Sequence, residues 1–213
     1  EETGAVLLEP IQGEGGVRTP PTGYLEQVRR LCDETGIFLV FDEIQTGMGR
    51  TGKLFAYEHF GIEPDIMTLA KALGNGLPIG AMLARSTIAA AFSPGTHAST
   101  FGGTPLVTAA ALETVRTLEE EEIIARCADV GGYFKSKLLA IKERHNRVTD
   151  VRGMGLLLGM ELSVECGPVV DACMKKGFLI NCIQERVLRF APPLIISREE
   201  IDALVACLGE VLS

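Results

Sequence analysis

The sequence predicts an α/β protein: part of a large domain with a mostly parallel sheet over residues 1–120, then a small α+β domain over residues 121–213. Two observations carry this. Solid apolar runs at 5–9 (AVLLE) and 37–41 (IFLVF) flank a helical stretch at 24–35. That is the pattern of a βαβ unit in a parallel sheet buried on both faces. After about residue 146 the texture changes to short strand-like runs interleaved with helices, which marks a second domain.

The elements follow in order. The run 5–9 is a strand ending in the carboxylate of Glu9, and a Gly/Pro-rich loop follows it. The helix 24–35 is expected to take Thr22 as its N-cap and Gly36 as its stop. Further strands are expected at 65–70 and 80–84, with helices at 106–118 and 123–144. The acidic run 119–122 reads as a solvated junction that favours a helix start. In the second domain the expected strands are 148–151, 155–162, 178–181 and 187–190. A short helix is expected at 169–176 and a last one at 199–212, with Ser197 as N-cap.

Composition narrows the function. The chain has 213 residues, 46% of them hydrophobic, which is enough for a true core. A net charge of −8 argues against nucleic acid and anionic membrane surfaces as partners. No apolar run is long enough to span a bilayer. The opening Glu1-Glu2-Thr3-Gly4 has neither Met nor a leader pattern and reads as a cut ahead of a strand. The six cysteines form no CxxC pair and have no histidine at ligand spacing, so no metal site is expected. They read as reduced, buried thiols, as in a cytoplasmic protein.

The chemistry gathers at strand ends, where open α/β sheets bind ligands. Asp42 and Glu43 follow at once on an apolar strand, a costly place for carboxylates unless something uses them. A helix cap or a turn is the plainer use. Lys71 lies between an apolar strand and a glycine-rich turn, a place where partial burial would lower its pKa and make the amine nucleophilic. Such a lysine can equally just reach water. A carboxylate at one strand end and an amine at another suit a cofactor that carries both a pyridinium and an aldehyde.

The motifs EPIQGEGG at 9–16, FDEIQTG at 41–47, GRTG at 49–52, PDI at 64–66, LAKALG at 69–74 and HASTFGG at 97–103 occur in this order. Together they resemble the class III, or ω-amino, aminotransferases of fold type I. GMGRTGKLFAYEH at 47–59, PGTHAST at 94–100, DVRG at 150–153 and VLRFAPPL at 187–194 resemble the acetylornithine aminotransferase subgroup. The resemblance runs through the whole chain.

It implies a pyridoxal 5'-phosphate enzyme. Lys71 would hold the cofactor as a Schiff base and then shuttle a proton. Asp42 would pair with the ring nitrogen, and Gln45 would bond the phenolic oxygen. Thr100 would reach the cofactor phosphate of a neighbouring subunit, and Ser99 the substrate there, which implies a homodimer with shared sites. Arg189 would bind the α-carboxylate of glutamate or 2-oxoglutarate. Glu14 would pair with that arginine while the ω-amino substrate is bound. Glu9 reads as support. The reaction implied is transfer of the ω-amino group of N-acetylornithine, or of succinyldiaminopimelate, to 2-oxoglutarate, in arginine or lysine biosynthesis. Ornithine, 4-aminobutyrate or succinylornithine transamination, and a non-catalytic truncated homologue, are the alternatives.

Arg50 reads as a possible loop-stabilising ion pair, Arg152 as structural, and His59, His97 and His145 as structural. Thr104 stands where the family usually has Asn, and it is expected to cap the next helix. The family's phosphate cradle, ring-stacking aromatic and distal substrate arginine have no counterpart here. The isolated chain is therefore expected to be inactive.

Overall fold

A computed structural model describes residues 2–213, and residue 1 lies outside the described residues. The chain divides into two compact units. The first holds residues up to Pro10, Pro20–Met48 and Lys53–Glu122; the second holds Ile11–Thr19, Gly49–Gly52 and Ile123–Ser213.

The first unit is built on a four-stranded sheet in the order β1 (Ala5–Leu8), β2 (Phe38–Asp42), β3 (Ile66–Leu69), β4 (Ala81–Ala84). β1, β2 and β3 run parallel, and β4 is antiparallel to β3. Helix α1 (Tyr24–Thr35) makes the crossover from β1 to β2. It packs on Leu39 and Phe41 through Leu25 and Cys32, all essentially fully buried. The opposite face is open in this chain: Leu7 is 67% exposed, Phe38 44% and Met82 48%. One crossover helix covers one face, so the burial of both faces suggested by the apolar strands is not met here. α1 stops at Gly36, whose amide closes onto the Cys32 carbonyl. Its N-cap is Gly23 rather than Thr22. Gly23 takes a left-handed conformation, and its carbonyl accepts the first helical bond from Gln27.

The unit continues with α2 (Ser86–Ala89) and α3 (Pro105–Glu120). Thr104 stands at the N-cap of α3, but its side chain makes no cap bond. Pro105 has no amide hydrogen to satisfy, and the Thr104 carbonyl instead accepts from the Thr108 amide and hydroxyl.

The second unit pairs helices with an antiparallel sheet. α4 (Ile123–Arg144) leads into β5 (Val148–Met154) and β6 (Leu157–Leu162). Then come α5 (Gly167–Lys175), β7 (Asn181–Ile183), β8 (Val187–Phe190) and α6 (Arg198–Leu212). The sheet order is β5-β6-β8-β7. Phe134, Leu138, Leu158, Met160, Leu188, Ile201 and Leu208 are buried together at the centre of its core. Ser197 caps α6 in a reciprocal capping box with Glu200. A glycine pair sets the approach of α4 to the sheet: a Cβ on Gly131 would lie 2.3 Å from the Gly155 backbone. β7 starts later than the strand expected at 178–181. The Phe178 amide is still closing α5 onto Cys173, and pairing begins only where Asn181 meets Arg189.

The cysteines correct one expectation. Cys166 and Cys182 form a disulfide with Cα atoms 5.7 Å apart, tying the N-cap of α5 to β7. The return of the chain after α5 brings together two residues that looked unrelated in sequence. The argument from uniformly reduced thiols to a reducing compartment falls with it. The other four cysteines are free and buried.

Asp65 ties the first unit together. It is buried, and one Oδ accepts the Leu39 amide and the Arg29 guanidinium, both at 2.8 Å, while Arg85 lies at 3.4 Å from the other. Burial alone would raise its pKa, but the Leu39 amide and the two arginines hold it below the ordinary carboxylate range. A depressed pKa in the folded state adds stability that is present above the unfolded value and lost as pH falls through the folded one. Asp65→Asn should therefore cost about 2 kcal/mol at neutral pH. It should also flatten the loss of stability in acid, as read by urea unfolding across pH.

Candidate active site

The parallel pairing of β2 with β3 sets the first group of site residues. Asp42 is the last residue of β2 and lies beside Thr68 of β3. Lys71 follows Thr68 by three residues, so its Cα is no more than roughly 16 Å from that of Asp42. Both stand at the carboxyl edge of the sheet. Alternation along β2 directs Asp42 to the face opposite α1, because Leu39 and Phe41 take the α1 side.

The two adjacent carboxylates have different fates. Glu43 is 1% exposed and accepts three hydrogen bonds: from the Thr46 hydroxyl, the Ala56 amide at 3.0 Å and the Tyr57 amide at 2.9 Å. Burial pushes its pKa up, against the pull of those donors. Glu43 is thus the turn-and-cap carboxylate, holding loop 43–47 against the short 3-10 turn Ala56–His59. Asp42 is only partly buried, and its Oδ1 accepts the Ile44 amide at 2.9 Å. That one bond aims the carboxylate and leaves acceptor capacity for a ligand. Gln45 is half-buried in the same loop.

Lys71 opens the 3-10 turn Lys71–Gly74 and sits at φ 45. A left-handed lysine costs about 1–2 kcal/mol, a strain that natural chains keep at functional positions. Its side chain is exposed rather than partly buried, because β3 has ended and the turn swings it outward. Ser99 and Thr100 lie in an exposed loop, where the Ser99 hydroxyl accepts the Gly102 amide at 3.1 Å. Glu9 is half-buried just beyond β1.

The second group lies in the second unit, and there the structure brings Glu14 and Arg189 into an ion pair. Arg189 stands on β8 between Gly159 and Asn181 and lines a cavity of about 370 Å³ with Phe134, Phe190 and Leu204. Glu14 is at the tip of a turn closed by the Gln12–Arg18 bridge and by bonds from the Gly16 and Val17 amides to the Gly13 carbonyl. Val17 is fully buried against Gly159, where a Cβ would lie 3.0 Å from its side chain. A side chain at 159 would lift the turn away from Arg189. The pair is asymmetric: the arginine side chain is 15% exposed and the glutamate 62%.

Arg152 supports the same turn. Its Nε donates to the Gly16 carbonyl at 2.9 Å, and its guanidinium pairs with Asp150 and Glu161. Arg50 makes backbone bonds rather than the ion pair expected of it, donating to the carbonyls of Pro192 at 2.5 Å and Leu156 at 3.2 Å. The turn-or-cap use read for the carboxylates Asp42 and Glu43 is met at Glu43, and Arg152 is structural as expected; which backbone groups each one holds was not legible in the sequence.

The strand-edge carboxylate and amine and the arginine–glutamate pair are the groups that the resemblance to class III aminotransferases implied. The family description "Aminotransferase class-III" matches residues 1–212, and the chain belongs to that family. The family uses pyridoxal 5'-phosphate. The acetylornithine aminotransferase of Methanothermobacter thermautotrophicus is 51% identical across this whole chain, which spans 55% of that protein. The Methanocaldococcus jannaschii acetylornithine aminotransferase is 50% identical, with 54% of its length spanned. The chain thus spans about half the length of these relatives. Among solved structures, ornithine aminotransferase from Toxoplasma gondii ME49 superposes with a TM-score of 0.93 at 38% identity, covering 98% of this chain and 51% of that one. Acetylornithine aminotransferase from Elizabethkingia anophelis gives 0.91 at 35%, covering 98% and 56%.

The neighbours at 42 and 43 can be told apart by stability. Glu43→Gln leaves an amide donor facing a backbone donor and should cost about 2 kcal/mol. Asp42→Asn keeps an acceptor for Ile44 and should stay within about 0.5 kcal/mol of the parent. Urea unfolding of the two variants side by side checks this.

Proposed function

We propose that the protein to which this chain belongs moves the ω-amino group of N-acetylornithine to 2-oxoglutarate with pyridoxal 5'-phosphate, in arginine biosynthesis, with succinyldiaminopimelate as a second donor. The observation that carries the reading is the placement of Asp42 at the end of β2 and of Lys71 just past the end of its parallel neighbour β3, at one sheet edge. Their chemistry fits the cofactor: a fixed anionic oxygen for a ring N–H, and an exposed amine for an aldehyde.

When bound, the cofactor takes up the amino group and withdraws electrons from the carbon that carried it. Asp42, already oriented by the Ile44 amide, keeps a negative charge at the ring nitrogen. The Lys71 Nζ acts first as nucleophile and then as base, accepting a proton from the donor carbon and returning it on the other side of the exchange. Gln45 hydrogen-bonds the ring oxygen. Ser99 and Thr100, exposed on their loop, serve the site of a second subunit in a homodimer.

Arg189 and Glu14 select the carboxylate. The arginine is the buried partner, and leaving it uncompensated is costly. Glu14 is the solvated partner and can leave cheaply. The pair therefore opens when a substrate carboxylate replaces Glu14, so the arginine is masked for one substrate and available to the next. The donor assignment rests on the names of the relatives above. Free ornithine is the second reading, favoured by the Toxoplasma gondii structural match. Among the described residues no helix is long and apolar enough to cross a membrane, and a cytoplasmic enzyme is the setting proposed.

Borohydride reduction of the complete, cofactor-loaded enzyme should leave the pyridoxyl label on Lys71, and a label on another lysine would overturn the assignment. Lys71→Ala should cut turnover by roughly 10³-fold or more. N-acetylornithine should outrun free ornithine in paired rate measurements. The isolated 213-residue chain should show neither a yellow cofactor band nor turnover.

A further inference from the structure

The turn between β7 and β8 carries two residues that its geometry does not favour. Gln184 and Glu185 both lie in the left-handed region, at φ 48 and 60. Glycine and asparagine take such positions readily, and longer side chains are kept there when the side chain has work to do. The Gln184 amide Nε2 donates to the Glu14 carbonyl at 3.1 Å, across 170 residues of sequence.

The turn is itself clamped. The Cys166 amide donates to the Glu185 carbonyl at 2.8 Å, and the Cys166–Cys182 disulfide ties β7 to the start of α5. β7 also pairs directly with the strand of the site arginine, Asn181 lying opposite Arg189. Two side chains of the second unit grip the backbone of the Glu14 turn. Arg152 grips Gly16 from the sheet, and Gln184 grips the backbone of Glu14 itself.

We propose that Gln184 is a positioning residue that sets how readily Glu14 gives up Arg189 to a substrate carboxylate. This rests on the carboxylate-exchange reading above. Glu14 competes with substrate as a tethered carboxylate, and its strength as a competitor is its effective concentration at the guanidinium. Fixing the Glu14 backbone raises that concentration. Releasing the backbone lowers it, and an incoming dicarboxylate then displaces Glu14 more easily. Gln184 bonds the backbone of Glu14, so its effect should fall on one substrate's KM and leave kcat nearly alone.

The test is Gln184→Gly in the complete, cofactor-loaded enzyme. Glycine removes the amide and relieves the left-handed strain, so the variant should melt no lower than the parent. The KM for 2-oxoglutarate should fall two- to fivefold, with kcat and the amino donor's KM within twofold, and amide exchange across residues 13–18 should quicken. An unchanged 2-oxoglutarate KM would overturn the role of Gln184. So would a matched rise of both KM values with a lowered Tm, which marks a purely structural residue. Arg189→Ala run alongside separates the two levels of the argument. It should raise the 2-oxoglutarate KM at least tenfold. If it does not, the exchange reading fails and the proposal falls with it; if it does while Gln184→Gly is silent, only the proposal falls.

Discussion

The side-by-side parallel pairing of β2 with β3 is the constraint on which the proposed cofactor chemistry depends. Parallel strands bring their carboxyl ends to the same edge, so a residue ending one strand and a residue just past the next become neighbours without any contact between them. Asp42 and Lys71 are placed in this way. A one-residue slip of β2 would turn Asp42 to the α1 face and bring Glu43 to the edge. The register is pinned on the covered face by Leu39 and Phe41, both fully buried, and at the strand ends by Asp65 bonding the Leu39 amide. The hydrophobic face thereby fixes the chemistry of the opposite one.

Glu43 completes the division of labour. A buried carboxylate is tolerated only with several donors, and Thr46, Ala56 and Tyr57 supply them. Those bonds draw loop 43–47 onto the 56–59 turn and fix the backbone right after Asp42. The Ile44 amide that steers Asp42 belongs to this loop. The orientation of the Asp42 carboxylate therefore depends on the satisfaction of the carboxylate beside it.

Much of this was legible in the sequence, for identifiable reasons. The strands around Leu39 and Met67 and the helices 24–35 and 123–144 are long or strongly apolar, and hydrophobic period alone reveals them. Asp42 and Lys71 show because charge at the end of such a run is conspicuous. What stayed hidden depends on tertiary proximity. Nothing local says that Cys166 meets Cys182, that segments 11–19 and 49–52 pack with the second unit, or that Gln184 reaches Glu14. The N-cap at Gly23 and the delayed start of β7 were missed because a left-handed glycine and a late strand partner overrode residue preference.

The two groups of candidate site residues are held by opposite physical means, and the difference matches the role proposed for each. Lys71 sits in a strained backbone conformation, fixed by the buried Leu73 and by Gly74 packed close on Ile79, with its amine exposed. Strain locked by packing suits a group that must return to the same place every cycle. Glu14 sits on a small self-bonded turn gripped by Arg152 and Gln184, and its carboxylate pairs with Arg189 while largely exposed to water. Such a turn can release one partner and take it back without unfolding anything. An amine on a fixed backbone and a replaceable carboxylate are what the proposed reaction needs, with one substrate arriving with an amino group and the other with a carboxylate where Glu14 had been.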